Sequence, residues 1–207
     1  FPTRRSSDLN IIEDMKKLLK VESEAAIYDN VEFINYVGYA DIAKEKDLRF
    51  RPEGPADSVD LLDNYNIDDT LGQWSRKLPD FKHIHFQMID FMQTKSELAT
   101  IFLPALYQEG YRTLGVVLNT DHSQGRGKHW FACFVDMRPL GTPKEPWTVE
   151  YFNSSGNPPL SPVHAWIRQQ IAICASIGYR AIPIYSSRQL QFSNTECGVW
   201  SLVDRKS

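Results

Sequence analysis

Residues 191–200 read Gln-Phe-Ser-Asn-Thr-Glu-Cys-Gly-Val-Trp, which places a cysteine at the start of a short apolar run. Asn194 or Thr195 is suited to be the N-cap of a helix that carries Cys197. The unpaired backbone N–H groups of a helix N-terminus favour the thiolate form of a cysteine. We expect Gly198 to leave the backbone beside the sulfur open to an approaching substrate. The stretch therefore predicts a reactive thiol, although a single cysteine is more commonly a small buried core residue.

The composition bounds the class of protein. The chain has 207 residues, of which 42% are hydrophobic and 24% are charged, with a net charge of −3. These values are ordinary for a globular protein and give no basic field that would attract nucleic acid. The three cysteines are an odd number without a CxxC pair, which argues against a disulfide framework or a zinc knuckle. No apolar run approaches the roughly 20 residues of a membrane-spanning helix, so we expect no membrane insertion.

Sequence patterns divide the chain into an N-terminal extension and a core. Residues 10–20 have apolar side chains at helical spacing, and a helical style continues to residue 48, before a Pro- and Gly-containing linker. We therefore predict a helical N-terminal extension with a linker over 10–58, and a core over 59–203. Residues 1–9 and 204–207 match no pattern in the body and are expected to be translated adapter sequence. By that interpretation the chain is a fragment, cut about two turns into the helix of Cys197.

The core alternates between strand-like and helix-like stretches. Short turns join adjacent strands, so the class is α+β, with a mixed sheet flanked by helices. The pattern predicts helices at 63–74, 95–109 and 163–177, strands at 81–89, 113–119, 129–137, 147–152 and 181–185, and a last helix beginning near residue 197.

Four polar residues fall where such a fold exposes chemistry. His129 begins one strand and Asn153 ends the next, so a hairpin would place them side by side at one sheet edge. The imidazole could take the proton of Cys197, and the Asn153 amide could hold the ring in its useful tautomer. Gln191 could donate to an oxyanion. Taken singly, His129, Asn153 and Gln191 each have an ordinary alternative: a surface or capping histidine, a turn asparagine and an exposed glutamine.

Three motifs contain these residues: Gly127-Lys128-His129-Trp130, Glu150-Tyr151-Phe152-Asn153-Ser154, and Gln191 followed by Asn194-Thr195-Glu196-Cys197-Gly198. Together they resemble the adenain and ubiquitin-like-protein protease superfamily of cysteine proteases. The pattern is most similar to the polyprotein-processing protease of African swine fever virus and related large DNA viruses, in which the third catalytic residue is Asn. Residues 117–121, Val-Leu-Asn-Thr-Asp, also resemble a motif of that branch.

The resemblance implies a papain-like or adenain-like core with His129, Asn153 and Cys197 as catalytic residues. It implies that Gln191 lines the oxyanion hole and that Trp130 walls a narrow substrate channel, although a core role is equally open for Trp130. The implied activity is cleavage of viral structural polyproteins after Gly-Gly or similar small residues, without a metal or other cofactor. The implied location is the assembly site in the host cytoplasm and the virion. No motif matches the activator sites of the adenovirus relatives, so an activating partner stays unknown.

Three alternatives stay open from the sequence. A deubiquitinase-type or deSUMOylase-type isopeptidase would use the same site. An acetyltransferase of the bacterial-effector type would need a basic pocket for acetyl-CoA, and no such signature is present. A catalytically dead binding module would be favoured if one of the four residues were missing, but all four are present. A zinc site at His122, His129 and Cys133 is not favoured, because His129 and Cys133 share a strand face and the sequence offers no fourth ligand nearby.

Overall fold

The computed structural model describes residues 14–22, 26–27, 30, 52–54, 61–192 and 195–203. The chain divides into two compact units, Phe1–Pro52 with Lys206–Ser207 and Glu53–Arg205. In the first unit, residues 14–19 are helical, within the stretch for which the apolar spacing predicts a helix. The rest of the predicted extension and the segments 1–9 and 204–207 lie largely or wholly outside the described residues. The boundary at residue 58 stays a prediction.

The described part of the second unit contains five helices and six strands. In chain order they are α1 Asn64–Lys77, β1 Phe81–His83, β2 Gln87–Met88, α2 Glu97–Thr100, α3 Leu103–Gln108, β3 Thr113–Asn119, β4 Trp130–Asp136, β5 Trp147–Phe152, α4 Ser161–Ser176, β6 Ala181–Tyr185 and α5 Cys197–Val203.

The six strands form one mixed sheet in the order β1-β3-β4-β5-β6, with β2 also paired to β3. Strands β3, β4 and β5 are antiparallel neighbours, which follows from the short connections between them. Strands β1 and β2 run parallel to β3, and β6 runs parallel to β5. The α+β class predicted from the sequence is therefore confirmed.

Helices cover both faces of the sheet, and alternation along β4 separates two hydrophobic clusters. Phe131, Cys133 and Val135 face the larger cluster, which includes Trp147 of β5 and Trp166 of α4. Trp130 and Ala132 face the smaller cluster, in which the sheet packs against α1 and α5. Both Trp147 and Trp166 are fully buried, and each indole N–H donates to a backbone carbonyl. The sheet thus has a large core on one face and the cysteine helix on the other.

The predicted strand at 81–89 is wrong in one respect, because it is interrupted after His83. The interruption comes from Asp68 on α1, whose carboxylate accepts the backbone N–H of Phe86 at 2.7 Å. That carboxylate also lies 3.0 Å from the Nδ1 atom of His85. The Asp68 side chain thus takes the place of a neighbouring strand as the hydrogen-bond acceptor for the backbone N–H of Phe86.

The predicted helix at 95–109 is likewise split, into α2 and α3, by two extended residues at 101–102. Pro104 explains the split, because proline has no N–H for a helical bond to residue 100. It falls in the first turn of α3, where that bond is not needed.

Candidate active site

The β4–β5 pairing brings His129 and Asn153 together, as the hairpin argument predicts. His129 immediately precedes β4 and Asn153 immediately follows β5. The Nε2 atom of His129 lies 2.7 Å from the Oδ1 atom of Asn153. Asn153 is buried, whereas the His129 ring is only half-buried. An amide is therefore fixed against one side of an imidazole whose other side remains available to a third group.

Asn153 is held by its own set of hydrogen bonds. Its Oδ1 atom accepts from the backbone N–H of Ser155 at 3.0 Å and from the Ser155 hydroxyl at 2.8 Å. Its Nδ2 atom donates to the hydroxyl oxygen of Tyr151 at 3.0 Å. Every polar atom of the amide thus has a partner, which restricts the orientation in which it meets the imidazole.

Cys197 is the third group. It is the first residue of α5, which packs on β4 and α1, and the residue is 2% exposed. Burial raises the pKa of the Cys197 thiol, but hydrogen bonds from His129 and from the backbone N–H of Trp130, together with the charge on the imidazole, lower it below its ordinary value. The pKa of His129 is raised, first by its hydrogen bond to Cys197 and also by Asn153, against the opposing effect of burial. These opposite shifts favour a thiolate–imidazolium pair.

The N-terminus of α5 differs from its prediction. Asn194 lies outside the described residues, and the backbone carbonyl of Glu196 accepts the N–H of Trp200 at 2.9 Å. Glu196 therefore occupies the N-cap position, immediately before Cys197.

Gln191 reaches the same edge of the sheet from the loop after β6. It is 6% exposed, and its Oε1 atom accepts from the fully buried Ser154 hydroxyl at 2.6 Å. Its backbone N–H donates to the Ser154 carbonyl at 2.9 Å. Ser154 directly follows Asn153. The same short turn therefore contains Asn153, which contacts His129, and Ser154, which bonds to Gln191. The amide of Gln191 is thereby oriented with its carbonyl end toward Ser154 and its Nε2 end away from it.

Gly198 does not leave open space as expected. A Cβ atom built on Gly198 would lie 3.0 Å from the Cβ atom of Leu62, so Leu62 fills the space that a side chain would need. The Leu62 carbonyl also accepts the indole N–H of Trp130 at 2.9 Å. Trp130 itself is 9% exposed and packs in the smaller cluster with Cys197. Its role as a wall of a substrate channel stays a prediction.

Two residues that the sequence analysis did not assign hold the loop before His129. Asn119, at the end of β3, accepts the backbone N–H groups of Asp121 and Lys128 at 3.0 and 2.9 Å. Asp121 accepts from the Lys128 ammonium at 3.0 Å, a hydrogen bond that lowers the pKa of its carboxyl. A Cβ atom on Gly125 would overlap the Asp121 carboxylate at 2.2 Å, which explains the glycine. The sequence signal for this loop was the presence of Asn119 and Asp121 at the end of a buried strand. Asn and Asp side chains commonly accept hydrogen bonds from nearby backbone N–H groups.

The other two cysteines are separate from this site. Cys133 and Cys174 are buried in the larger cluster, and burial raises the pKa of the Cys174 thiol to about 11. Among the described residues no group of three or more His, Cys, Asp or Glu side chains could hold a metal ion. Within the same ranges, no helix has both the length and the apolar character to span a membrane.

A mixed sheet that holds a cysteine at a helix start near an imidazole oriented by an amide is an arrangement found in cysteine proteases. No protein-family model matches the chain. A cysteine protease of African swine fever virus is 34% identical over 212 residues, which covers 94% of this chain and 76% of that protein. A protein named SUMO-1 cysteine protease, from another isolate of the same virus, is 35% identical over 204 residues, covering 90% and 72%. The crystal structure of the African swine fever virus protease matches with a TM-score of 0.63 at 31% identity, covering 98% of this chain and 80% of that one.

The chain belongs to the family of the African swine fever virus cysteine protease. This finding confirms the resemblance drawn from the motifs and the enzyme class, a cysteine-type peptidase.

Proposed function

We propose that the protein is a cysteine endopeptidase that processes viral structural polyproteins after Gly-Gly or similar small residues. The observation that carries the proposal is the 2.7 Å contact between the Asn153 amide oxygen and the His129 imidazole, which in turn lowers the pKa of the Cys197 thiol. In this proposal Cys197 is the nucleophile, His129 the general base and acid, and Asn153 the residue that orients the ring. The host cytoplasm, at sites of viral assembly, and the virion are the proposed locations.

The reaction proceeds in two halves. The Cys197 thiolate attacks the scissile carbonyl carbon, a C–S bond forms, and the carbonyl electron pair moves to oxygen. The oxyanion is stabilised by the Gln191 side chain and the Cys197 backbone N–H, an effect worth about 2.7–4 kcal/mol for one such donor. When the C–N bond breaks, the His129 imidazolium protonates the departing amine and a thioester remains. His129 then takes a proton from water, which attacks the thioester and releases the carboxylate and the thiolate.

The preference for small residues is proposed from the resemblance and from the surroundings of the sulfur. Cys197 is 2% exposed, and Trp130 lies in the same cluster. Access to such a sulfur is restricted, which would disfavour bulky side chains next to the scissile bond. Trp130 is the proposed wall of this path.

An isopeptidase that acts on a ubiquitin-like modifier is the second candidate. The name of one relative, SUMO-1 cysteine protease, favours it. The same nucleophile and base would serve both reactions, so only the substrate separates them. A linear Gly-Gly-Xaa peptide and a Gly-Gly isopeptide joined to a lysine side chain distinguish the two.

The experiment treats the 207-residue chain with a peptide vinyl sulfone ending in Gly-Gly and maps the adduct by mass spectrometry. We expect one adduct, on Cys197, and cleavage of the linear peptide in preference to the isopeptide. Cys197→Ala should abolish both adduct and cleavage, and the matched control Cys174→Ala should preserve both. Preference for the isopeptide would support the second candidate. A folded chain that forms no adduct and cuts neither substrate would contradict the enzyme proposal and favour a binding module.

A further inference from the structure

Tyr151, on β5, lies two residues before Asn153, and it is buried at 3% exposure. Its hydroxyl oxygen is 3.0 Å from the Nδ2 atom of Asn153. We propose that Tyr151, together with Ser155, is a positioning residue that fixes the direction of the Asn153 amide and thereby selects the protonated nitrogen of His129. This inference rests on the proposed function, because it assumes that His129 is the base for Cys197.

The direction of the Tyr151 hydroxyl follows from its other neighbours. Its oxygen lies 3.2 Å from the backbone carbonyl oxygen of Asn157 and 3.3 Å from that of Pro158. Carbonyl oxygens only accept hydrogen bonds, so the hydroxyl hydrogen must point toward them. The phenol oxygen can then only accept from Asn153. The end of the amide that faces Tyr151 must therefore be the NH₂ group.

The opposite end of the amide is assigned independently by Ser155. The backbone N–H of Ser155 only donates, so the atom that it reaches at 3.0 Å must be Oδ1 of Asn153. The Ser155 hydroxyl accepts from the Asn157 side chain at 2.9 Å and donates to the same Oδ1 at 2.8 Å. Two residues on opposite sides thus require the same orientation, and neither could bond well to a flipped amide.

The orientation determines the tautomer of the histidine. Because Oδ1 of Asn153 is an acceptor 2.7 Å from Nε2 of His129, the hydrogen of a neutral ring resides on Nε2. Nδ1 is then the basic nitrogen that can take the Cys197 proton. A flipped amide would place an NH₂ group against Nε2 and favour the opposite tautomer. In a Ser-His-Asp protease, a change that yields the wrong tautomer lowers kcat by about 10⁴-fold.

Tyr151 can hold this direction over the working pH range of a protease. Burial raises the pKa of its hydroxyl to about 12, so the group stays a neutral donor. An ionised phenolate would lose its bonds to the two carbonyls. The neutral Tyr151 hydroxyl is thus the form that can donate to a backbone carbonyl and accept from Asn153 at the same time.

The test compares kcat and KM for Tyr151→Phe, Asn153→Ala and the double variant. Tyr151→Phe should lower kcat about tenfold, the effect of one lost hydrogen bond, and leave KM within about twofold. In the Asn153→Ala background the same substitution should have no further effect on kcat. Tyr179→Phe is the matched control, since Tyr179 stacks on Trp147 at 4.3 Å and belongs to the larger cluster, and it should keep wild-type kcat.

A second readout does not depend on cleavage. In the Cys197→Ala background, ¹⁵N NMR of neutral His129 should show hydrogen on Nε2, and Tyr151→Phe should produce a mixture of tautomers. The inference is overturned if Tyr151→Phe keeps wild-type kcat and tautomer, or if it slows Asn153→Ala as much as the wild type. A wild-type chain that cuts no peptide would contradict the proposed function, while the NMR comparison would still decide the role of Tyr151.

Discussion

Replacing Gly198 with alanine tests whether the position of α5 controls the nucleophile. The new methyl group would meet Leu62 Cβ at 3.0 Å and two further Leu62 atoms at 3.4 Å. The Leu62 backbone is tied to the Trp130 indole by a 2.9 Å hydrogen bond, so it cannot shift without loss of that bond. We therefore expect α5, and with it Cys197, to move away from Leu62, which changes the position of the sulfur relative to His129.

Two opposing terms set the magnitude of the change in stability. Alanine is favoured over glycine inside a helix by about 1 kcal/mol. An extra methyl group in a filled space costs about 1–3 kcal/mol. The free energy of unfolding should therefore fall by about 0–2 kcal/mol, so most of the protein remains folded. A displacement of about 1 Å between reacting groups can lower the rate about 100-fold, and we expect kcat/KM to fall about 10- to 100-fold.

Peptide cleavage and thermal unfolding, measured on the same samples, check this expectation. Gly72→Ala on α1 is the matched control, because its nearest neighbour is a flexible Arg76 atom at 3.4 Å. It should raise stability by about 1 kcal/mol and leave kcat/KM unchanged. In a Leu62→Gly background, Gly198→Ala should cost much less activity. Wild-type kcat/KM for Gly198→Ala would show that the position of α5 does not control the reactivity of Cys197.

Three further predictions concern the site itself. Ser154→Ala should lower kcat about tenfold in steady-state assays, because the Gln191 amide loses the 2.6 Å hydrogen bond that orients it. An unchanged kcat would show that Ser154 does not orient the donor. The pH profile of kcat/KM should be bell-shaped: it rises as Cys197 ionises, at a pH below the ordinary thiol pKa, and falls as His129 loses its proton, at a pH above the ordinary imidazole pKa. An alkaline limb at or below the ordinary histidine pKa would contradict the ion pair. Iodoacetamide at neutral pH should label Cys197 while Cys174 stays unmodified, because burial raises the Cys174 pKa to about 11; equal labelling would contradict that assignment.

Local patterns were sufficient to predict the elements that carry the site. Strands β3 and β5 have the predicted bounds, because each is an uninterrupted apolar or alternating run between polar turns. The contact between His129 and Asn153 followed from topology alone, since a short connection makes β4 and β5 antiparallel neighbours. Cys197 could be singled out because helix-start residues, a cysteine and a glycine stood together at the beginning of an apolar run.

Interactions between residues distant in sequence could not be predicted in this way. The break after His83 depends on Asp68 of α1, and nothing in the local alternation of 81–89 indicates it. The glycine at 198 is explained by Leu62, at the other end of the core sequence. Such contacts arise from the packing of α1 and α5 on one face of the sheet, which periodicity does not specify.

The support for Asn153 was missed for a different reason. Tyr151 fits the alternation of β5 as an ordinary core residue, and Ser155 fits an ordinary turn. Only the positions of their donors and acceptors show that both act on one amide. Spacing can place such residues near one another, but the direction of a hydrogen bond needs coordinates.

The pH dependence of Cys197 alkylation, compared between the wild type and His129→Ala, decides whether His129 activates the thiol. In the wild type, His129 keeps the Cys197 pKa below its ordinary value despite burial. We therefore expect wild-type alkylation to persist at a pH where a free thiol no longer reacts. In His129→Ala, burial would raise the Cys197 pKa without the opposing hydrogen bond and charge of the imidazole. The apparent pKa of Cys197 should therefore rise above the ordinary thiol value. The same alkylation pKa in both proteins would contradict the account.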